Sequence, residues 1–280
     1  REYSELFIDI VAGNLSPDDF AKNLAPELSD STSNQEKILI KNTASVIRIT
    51  HSFNERQRTA LTRCIRIMAD GMSKFQEANV NEGLKTQKEM DTYCYYVAGV
   101  VGELLTELFC DYSDKIQIHY DKLMELSVSF GQGLQMTNIL KDIWDDKERN
   151  MCWLPNEVFN QYGTDLSELS PGNTSKEIEH ALGHLVGVAH YHLGNALEYT
   201  LLIPGNEKGM RRFCLWALGM AVLTLRNINN HRDFTSGQQV KISRTNVKTV
   251  IALSNLFTSN DTALRKLFKY YDKQFPQIIT

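Results

Sequence analysis

Proline is scarce, six residues among 280, and no stretch alternates β-branched with polar residues over the length of a strand. Those two absences exclude a sheet-built fold and leave long helices as the material of the chain. No apolar run approaches the roughly 20 residues that cross a bilayer as a helix; Leu215 to Leu225 comes nearest and is too short. Positive charge is not in excess, with 30 Lys and Arg against 34 Asp and Glu and a net charge of −4, which excludes the footprint of a nucleic-acid-binding surface. No CxxC pair occurs. The five cysteines, Cys64, Cys94, Cys110, Cys152 and Cys214, are scattered and odd in number, the usage of reduced thiols in a cytoplasmic protein. Internal repeats and low-complexity segments are also lacking.

What the chain does have is one acidic stretch on an apolar background, Gln135-Met-Thr-Asn138-Ile-Leu-Lys141-Asp142-Ile-Trp-Asp145-Asp146, read as the end of a long helix. At about 100° per residue, Gln135, Asn138, Asp142 and Asp146 share a narrow stripe, with Asp145 at its margin and Gly131 beside it. Met136, Ile139, Leu140, Ile143 and Trp144 cover a broad apolar sector on one side. A helix with that much apolar surface packs in a core, so its carboxylates sit at the edge of low-dielectric surroundings. Like charges held there are costly unless a cation lies between them, and a hard divalent metal with oxygen ligands is the plainest one. An acidic helix end left in water is the alternative reading.

Around this stretch the expected elements are helical. Glu2 to Ala12 places Tyr3, Leu6, Phe7, Ile10 and Val11 on one side, and Ser16-Pro17-Asp18-Asp19 reads as a helix start with proline at the first helical position. Ser29 to Asn34 reads as a loop. Helices over about 35–50 and 54–78 follow, the second opened by Ser52-x-x-Glu55 in capping-box form. From Met90 to Phe109, Tyr93, Val97, Val101 and Leu105 make an i, i+4 ladder with Ala98 and Gly102 alongside. Each helical glycine costs about 1 kcal/mol against alanine, a cost offset where a neighbour packs closely or a ligand needs room. Thr174-x-x-Glu177 is a second capping box, heading a helix to about Leu201. The helix from Glu207 to Asn230 is apolar nearly all round from Phe213 to Leu225, which predicts burial.

Other candidate chemistry is thin. His180 and His184 have the i, i+4 spacing of a zinc pair but neither the glutamate of HExxH nor an evident third ligand. Glu177-x-x-His180 occurs once where a di-iron bundle needs the pattern twice. Lys241 and Arg244, in an extended bridge, read equally as surface charges or as a phosphate-binding pair.

Two motifs carry a resemblance. Tyr93-Cys-Tyr-Tyr-Val97-Ala98-Gly99-Val-Val-Gly102 resembles the first signature of the squalene/phytoene synthase family, and Gln135-x-x-Asn138-Ile-Leu-x-Asp142-x-x-Asp145-Asp146, followed by Trp153-Leu154-Pro155, resembles its second. Phe213-Cys214, Met220-Ala-x-x-Thr224-Leu225 and Val240-Lys241-Ile242-Ser243 are similar to the family's late helix and the segment after it. The resemblance implies an all-α isoprenoid synthase fold, one helical domain over 1–280 around a central cavity. It implies head-to-head condensation of two farnesyl diphosphates through a cyclopropyl intermediate, then reduction by NADPH to squalene. Phytoene or dehydrosqualene formation, without reduction, is the neighbouring reading, and a non-catalytic helical binding relative is the reading from another class. Carried over residue by residue, Asn138, Asp142, Asp145 and Asp146 would face Mg²⁺, with Gln135 in the same site. Tyr93 would be the active-site tyrosine, and Phe213 would lie by the developing carbocation. Val97, Ala98, Val101, Gly102 and Leu105 would shape the prenyl pocket, and Lys241 and Arg244 would meet the phosphates of NADPH. A very apolar product implies peripheral contact with a membrane.

The chain departs from the family at three places. The earlier aspartate-rich motif has no counterpart, since Asp9 stands alone and Asp18-Asp19 opens a helix; the resemblance therefore implies about 50 further residues, on the order of two or three helices, ahead of Arg1. Lys141 holds the basic position before Asp142. Met151 stands where the family carries an arginine ahead of Trp153, with Arg149 nearby.

Overall fold

Helices account for the regular structure of the chain. The computed structural model describes residues 2–30, 32–77, 80–172, 175–272 and 275–276. Among them no strand forms; an isolated parallel bridge joins Leu84 to Pro155. Two compact units are distinguished, residues 1–73 and residues 74–280.

In the first unit, α1 (Glu2–Ala12), α2 (Asp18–Leu24) and α3 (Asn34–His51) meet over Ile10, Val11, Phe20 and Ile47, which are buried together. Their caps correct the sequence reading in three places. Pro17 occupies the cap of α2 rather than its first turn, and Ser16 Oγ accepts from the Asp18 amide at 3.3 Å. Ser33, inside the expected loop, heads α3 through a reciprocal box with Glu36. At α4 (Glu55–Glu77) the box is Asn54 with Gln57, not Ser52 with Glu55: Asn54 Oδ1 accepts from the Gln57 amide at 2.9 Å. An amide side chain caps as well as a hydroxyl, and Ser52 instead bonds back to the Ile49 carbonyl at 2.6 Å.

The second unit is built on α11 (Lys176–Leu202), the longest helix of the chain among those described, lying against α8 (Tyr120–Lys141). Ser175 caps α11, its Oγ accepting from the Ile178 amide at 3.2 Å; the expected cap at Thr174 lies outside the described residues. Along α11, Leu182, Leu185, Val186, Ala189 and Leu193 are almost wholly removed from water, each large one contributing about 1.5–3 kcal/mol. They join one core with Met136, Ile139, Leu140, Ile143 and Trp144, the apolar sector expected of the acidic stretch.

The tyrosine-rich signature divides into α5 (Gln87–Cys94), a π-helical turn over Tyr95–Gly99 and α6 (Val100–Tyr112). After α7 (Asp114–Gln117) the chain reverses into α8, which crosses α6 at glycines. A Cβ on Gly102 would fall 2.1 Å from the Ser127 carbonyl oxygen, and one on Gly131 would fall 2.2 Å from that of Ala98. Close helix packing is thus what offsets these glycines. All five cysteines are buried and none is in a disulfide, and no described helix is long and apolar enough to cross a membrane.

The acidic stretch is not one continuous helix. Asp142, at φ −99° and ψ 14°, ends α8 and begins α9 (Ile143–Glu148), although the Asp146 amide still bonds to the Asp142 carbonyl at 2.9 Å. The remaining helices are α10 (Asn156–Gln161), α12 (Lys208–Asn230), α13 (Gly237–Val240), α14 (Arg244–Phe257) and α15 (Asp261–Asp272). On α12 the apolar stretch is largely buried, with Trp216, Ala217, Gly219 and Met220 half-buried and Phe213 52% exposed.

Candidate functional site

A cavity of about 340 Å³ opens among the π-helical turn, α6, α8, α11 and α12. Its walls include Val97, Ala98, Val101, Gly102, Leu105, Gln135, Asn138 and Phe213, so the structure brings together the whole expected apolar pocket, two of the polar residues and the expected aromatic. Phe213, exposed on α12, is one of the residues that line the cavity. Phe109, Phe130, Leu134, Tyr199 and Ala217 also line it and escaped the sequence reading. Phe109 extends the ladder of Val97, Val101 and Leu105 by one more i+4 step, and Phe130 and Leu134 lead to Asn138 by the same step, so the signal for these three was present. Tyr199 arrives from a distant helix and had none.

The aspartates lie where α8 gives way to α9, one turn beyond Asn138. Lys141 Nζ is 3.2 Å from Asp142 Oδ2 and 3.3 Å from Asn138 Oδ1, so an ammonium joins two of the expected metal-side residues. The Asp146 carboxyl is pushed above the usual range by burial, then by Asp142, with Asp145 adding to it and Arg149 opposing. Gly237, at the start of α13, closes on the same spot: a Cβ there would come 2.9 Å from the Lys141 carbonyl oxygen, 3.5 Å from Asp142 Oδ1 and 3.8 Å from Asp145 Oδ2. Two carboxylates thus face a point that only a residue without a side chain leaves open. Trp144 Nε1 fixes the approach of this segment by donating to the Phe234 carbonyl at 2.7 Å.

Oxygen donors under mutual repulsion, beside a cradle that a Cβ would fill, fit a hard divalent cation. Among the described residues no three carboxylate, imidazole or thiol groups converge to hold an ion by themselves. An ion bound through one or two carboxylates takes its remaining oxygens from water and from phosphate.

Tyr93 stands apart from the cavity wall. Its ring stacks on Trp153 at 3.9 Å with an 8° interplanar angle, and Phe75 meets it edge-on at 5.2 Å. Burial, with smaller contributions from Cys94 and Asp146, pushes its phenol up to about 12. Lys241 and Arg244 are exposed; Arg244 opens α14 directly after Ser243, whose Oγ accepts from the Asn246 amide at 3.1 Å. His184 hydrogen-bonds Tyr162 through Nδ1 at 3.2 Å, and His180 packs its ring near the same tyrosine, a structural use of the pair considered for zinc.

A family model described as squalene/phytoene synthase matches residues 16–246. The squalene synthase of Gibberella zeae is 30% identical over 225 residues, 78% of this chain and 47% of that protein. That of Homo sapiens is 28% identical over 193 residues, 68% of this chain and 44% of that protein. The chain spans about half the length of the curated relatives it matches. Among solved structures, a ligand complex of TcSQS superposes with a TM-score of 0.73 at 20% identity, over 96% of this chain and 81% of the other. A ligand complex of a dehydrosqualene synthase does so with 0.60 at 17% identity, over 98% and 89%. The architecture is the all-α isoprenoid synthase fold. Within that class, the chain belongs to the squalene/phytoene synthase family.

Proposed function

We propose that this chain carries the prenyl-binding part of a squalene synthase, joining two farnesyl diphosphates head to head and reducing the product to squalene. The observation that carries this reading is a cavity that has both apolar walls and a polar end. Gln135 and Asn138 line it, and α8 continues from them into Asp142. A prenyl chain needs the first and a diphosphate the second.

Each group of residues has work to do in such a reaction. Mg²⁺, when bound, neutralises diphosphate oxygens and so makes diphosphate a leaving group. Asn138, Asp142, Asp145 and Asp146 are the residues that would hold it, with Lys141 adding a positive charge beside Asp142. Val97, Val101, Leu105 and Phe109 exclude water, which would quench a carbocation. Phe213 and Phe130 line the cavity as aromatic rings, whose faces can stabilise positive charge without being nucleophilic. In the first half-reaction C–C bonds form between the two prenyl chains, one diphosphate departs and a proton is lost, giving cyclopropylcarbinyl diphosphate. In the second the other diphosphate leaves and the carbon skeleton rearranges within the apolar walls; NADPH, where bound, would supply the hydride that reduces the product to squalene.

Lys241 and Arg244 fit the phosphates of NADPH by charge, and Arg244 stands at a helix N-terminus, where backbone amides favour anions. Their segment follows α13, whose Gly237 abuts the aspartates. An apolar product leaving this cavity is expected to pass to a membrane at its surface.

The test is incubation of the purified protein with farnesyl diphosphate, Mg²⁺ and NADPH, with the hydrocarbon identified by mass and NADPH oxidation followed by absorbance. Squalene with stoichiometric NADPH consumption supports the reading. A conjugated triene, or a C40 product from geranylgeranyl diphosphate, without NADPH consumption would replace it with dehydrosqualene or phytoene synthesis. No turnover, with no binding of prenyl diphosphate, would favour a non-catalytic relative.

A further inference from the structure

The cavity has a direction. Gly102 of α6 lies against Ser127 of α8, and Ala98 against Gly131, so the two helices run antiparallel and bracket the cavity along its length. On α8 the polar end is at Asn138 and Asp142, and the wall continues back to Phe130. At about 1.5 Å per residue, Phe130 is about 12 Å from Asn138 and about 18 Å from Asp142 along the axis. Beyond Phe130 the space is filled by a small core cluster that includes Cys110, Ile116, Leu123, Leu126 and Ile203.

Tyr199 stands at that boundary. It belongs to the cluster, is 3% exposed, and also lines the cavity. The Phe130 ring meets it edge-on at 5.5 Å and 79°. Its hydroxyl oxygen is 2.9 Å from Thr106 Oγ1, and Thr106 gives its own proton to the Gly102 carbonyl at 2.9 Å. Tyr199 is therefore the donor of the shared bond, and its ring is pinned across the end of the cavity by α6.

We propose that Tyr199, held by Thr106, is the stop that sets the length of prenyl chain this cavity accepts, and that it sets it at three isoprene units. The inference rests on the prenyl-diphosphate reading of the site. With C–C bonds of about 1.5 Å, an extended three-isoprene chain spans roughly 14 Å and a four-isoprene chain roughly 19 Å. With the diphosphate at Asn138 and Asp142, the chain has about 12 Å, from Asn138 to Phe130; three isoprene units exceed it by about 2 Å, which a bent chain takes up, and four exceed it by about 7 Å and run into the Tyr199 ring. Shortening the side chain at residue 199 opens the cavity toward the cluster, whereas removing the Thr106 hydroxyl leaves the ring in place but unpinned.

The test measures equilibrium binding of two unreactive substrate analogues, farnesyl and geranylgeranyl thiodiphosphate, to the full chain in the presence of Mg²⁺ by calorimetry. Wild type is expected to prefer the shorter analogue by about tenfold or more, the scale of a misfit in an apolar pocket. Tyr199→Ala is expected to bring the two affinities together by tightening the longer analogue, and Thr106→Val to move the ratio part of the way. Tyr199→Leu serves if the alanine variant does not give wild-type circular dichroism. A folded Tyr199 variant with the wild-type ratio overturns the proposal, as does a wild type that favours the longer analogue. If neither analogue binds wild type, the prenyl-diphosphate reading fails and this inference falls with it.

Discussion

Tyr93 and Trp153 stack face to face, 3.9 Å between centroids, and so join the first signature to the aromatic-Leu-Pro element that follows the second. Asp146 contributes, after burial and Cys94, to the raised pKa of the Tyr93 phenol. Trp153 is buried at 7% exposure. Trp153→Ala should therefore cost about 3–5 kcal/mol in urea unfolding, and Trp153→Phe much less.

The same phenol gives an alkaline signature. A group whose folded pKa lies above its unfolded value stabilises the fold below the unfolded value and loses that contribution as pH rises through the folded one. For Tyr93 the window runs from the ordinary 10.0 to about 12. Unfolding midpoints should fall across it, and Tyr93→Phe should flatten part of the fall, Tyr199 supplying another part.

His192 gives the acid counterpart. Burial takes its pKa from 6.5 down to about 4, and Ser129 Oγ lies 2.7 Å from its Nδ1. The Asn195 carboxamide donates to Ser129 Oγ at 2.9 Å, leaving the Ser129 proton for a neutral imidazole. Stability contributed by neutral His192 is present above 6.5 and is lost as pH falls toward 4. Denaturant midpoints measured through this window should drop in wild type and drop less in His192→Asn.

The glycines at the helix crossing separate from those that are free. Gly102→Ala and Gly131→Ala place a methyl on a backbone carbonyl, and each should destabilise by about 1–3 kcal/mol or more. A Cβ at Gly194 or Gly209 meets nothing within 4 Å. Those two substitutions in α11 and α12 should instead stabilise by up to about 1 kcal/mol through helix propensity. Thermal melts of the four variants decide it.

Asp146 should show opposed effects on stability and binding. Its raised pKa means that the protonated form suits the fold: this contribution is present below the unfolded value and is lost as pH rises through the folded one. At neutral pH without metal, Asp146→Asn should thus stabilise the fold by under about 1 kcal/mol after screening by water, and so raise the melting temperature. Mg²⁺ with pyrophosphate should raise the melting temperature of wild type more than either alone, and Asp146→Asn should lose most of that increment. An equal increment in both would remove Asp146 from the metal-binding set.

Much of the cavity was legible because helices repeat. Val97, Val101 and Leu105 are one face of a helix whatever surrounds it, and Gln135, Asn138 and Asp142 are one stripe. The ladder could not show that Tyr95–Gly99 is a π turn, which shifts the register between Tyr93 and Val97 and helps to explain why Tyr93 faces Trp153 rather than the cavity. Nor could it show the break at Asp142, since Ile143 and Trp144 keep the apolar spacing across it. The caps at Asn54 and Ser33 were missed because amide and hydroxyl candidates crowd the same few positions.

By itself, then, the sequence determined the helices, their apolar faces and the order of the tyrosine-rich and aspartate-rich motifs, because those follow from local periodicity and spacing. Tertiary structure alone decided what lies across from them. Tyr199 against Thr106, Gly237 against Asp142 and Asp145, and Gly131 against Ala98 join residues far apart in the chain. Such contacts are set by how helices cross and by how much space the crossing leaves, which no local pattern records.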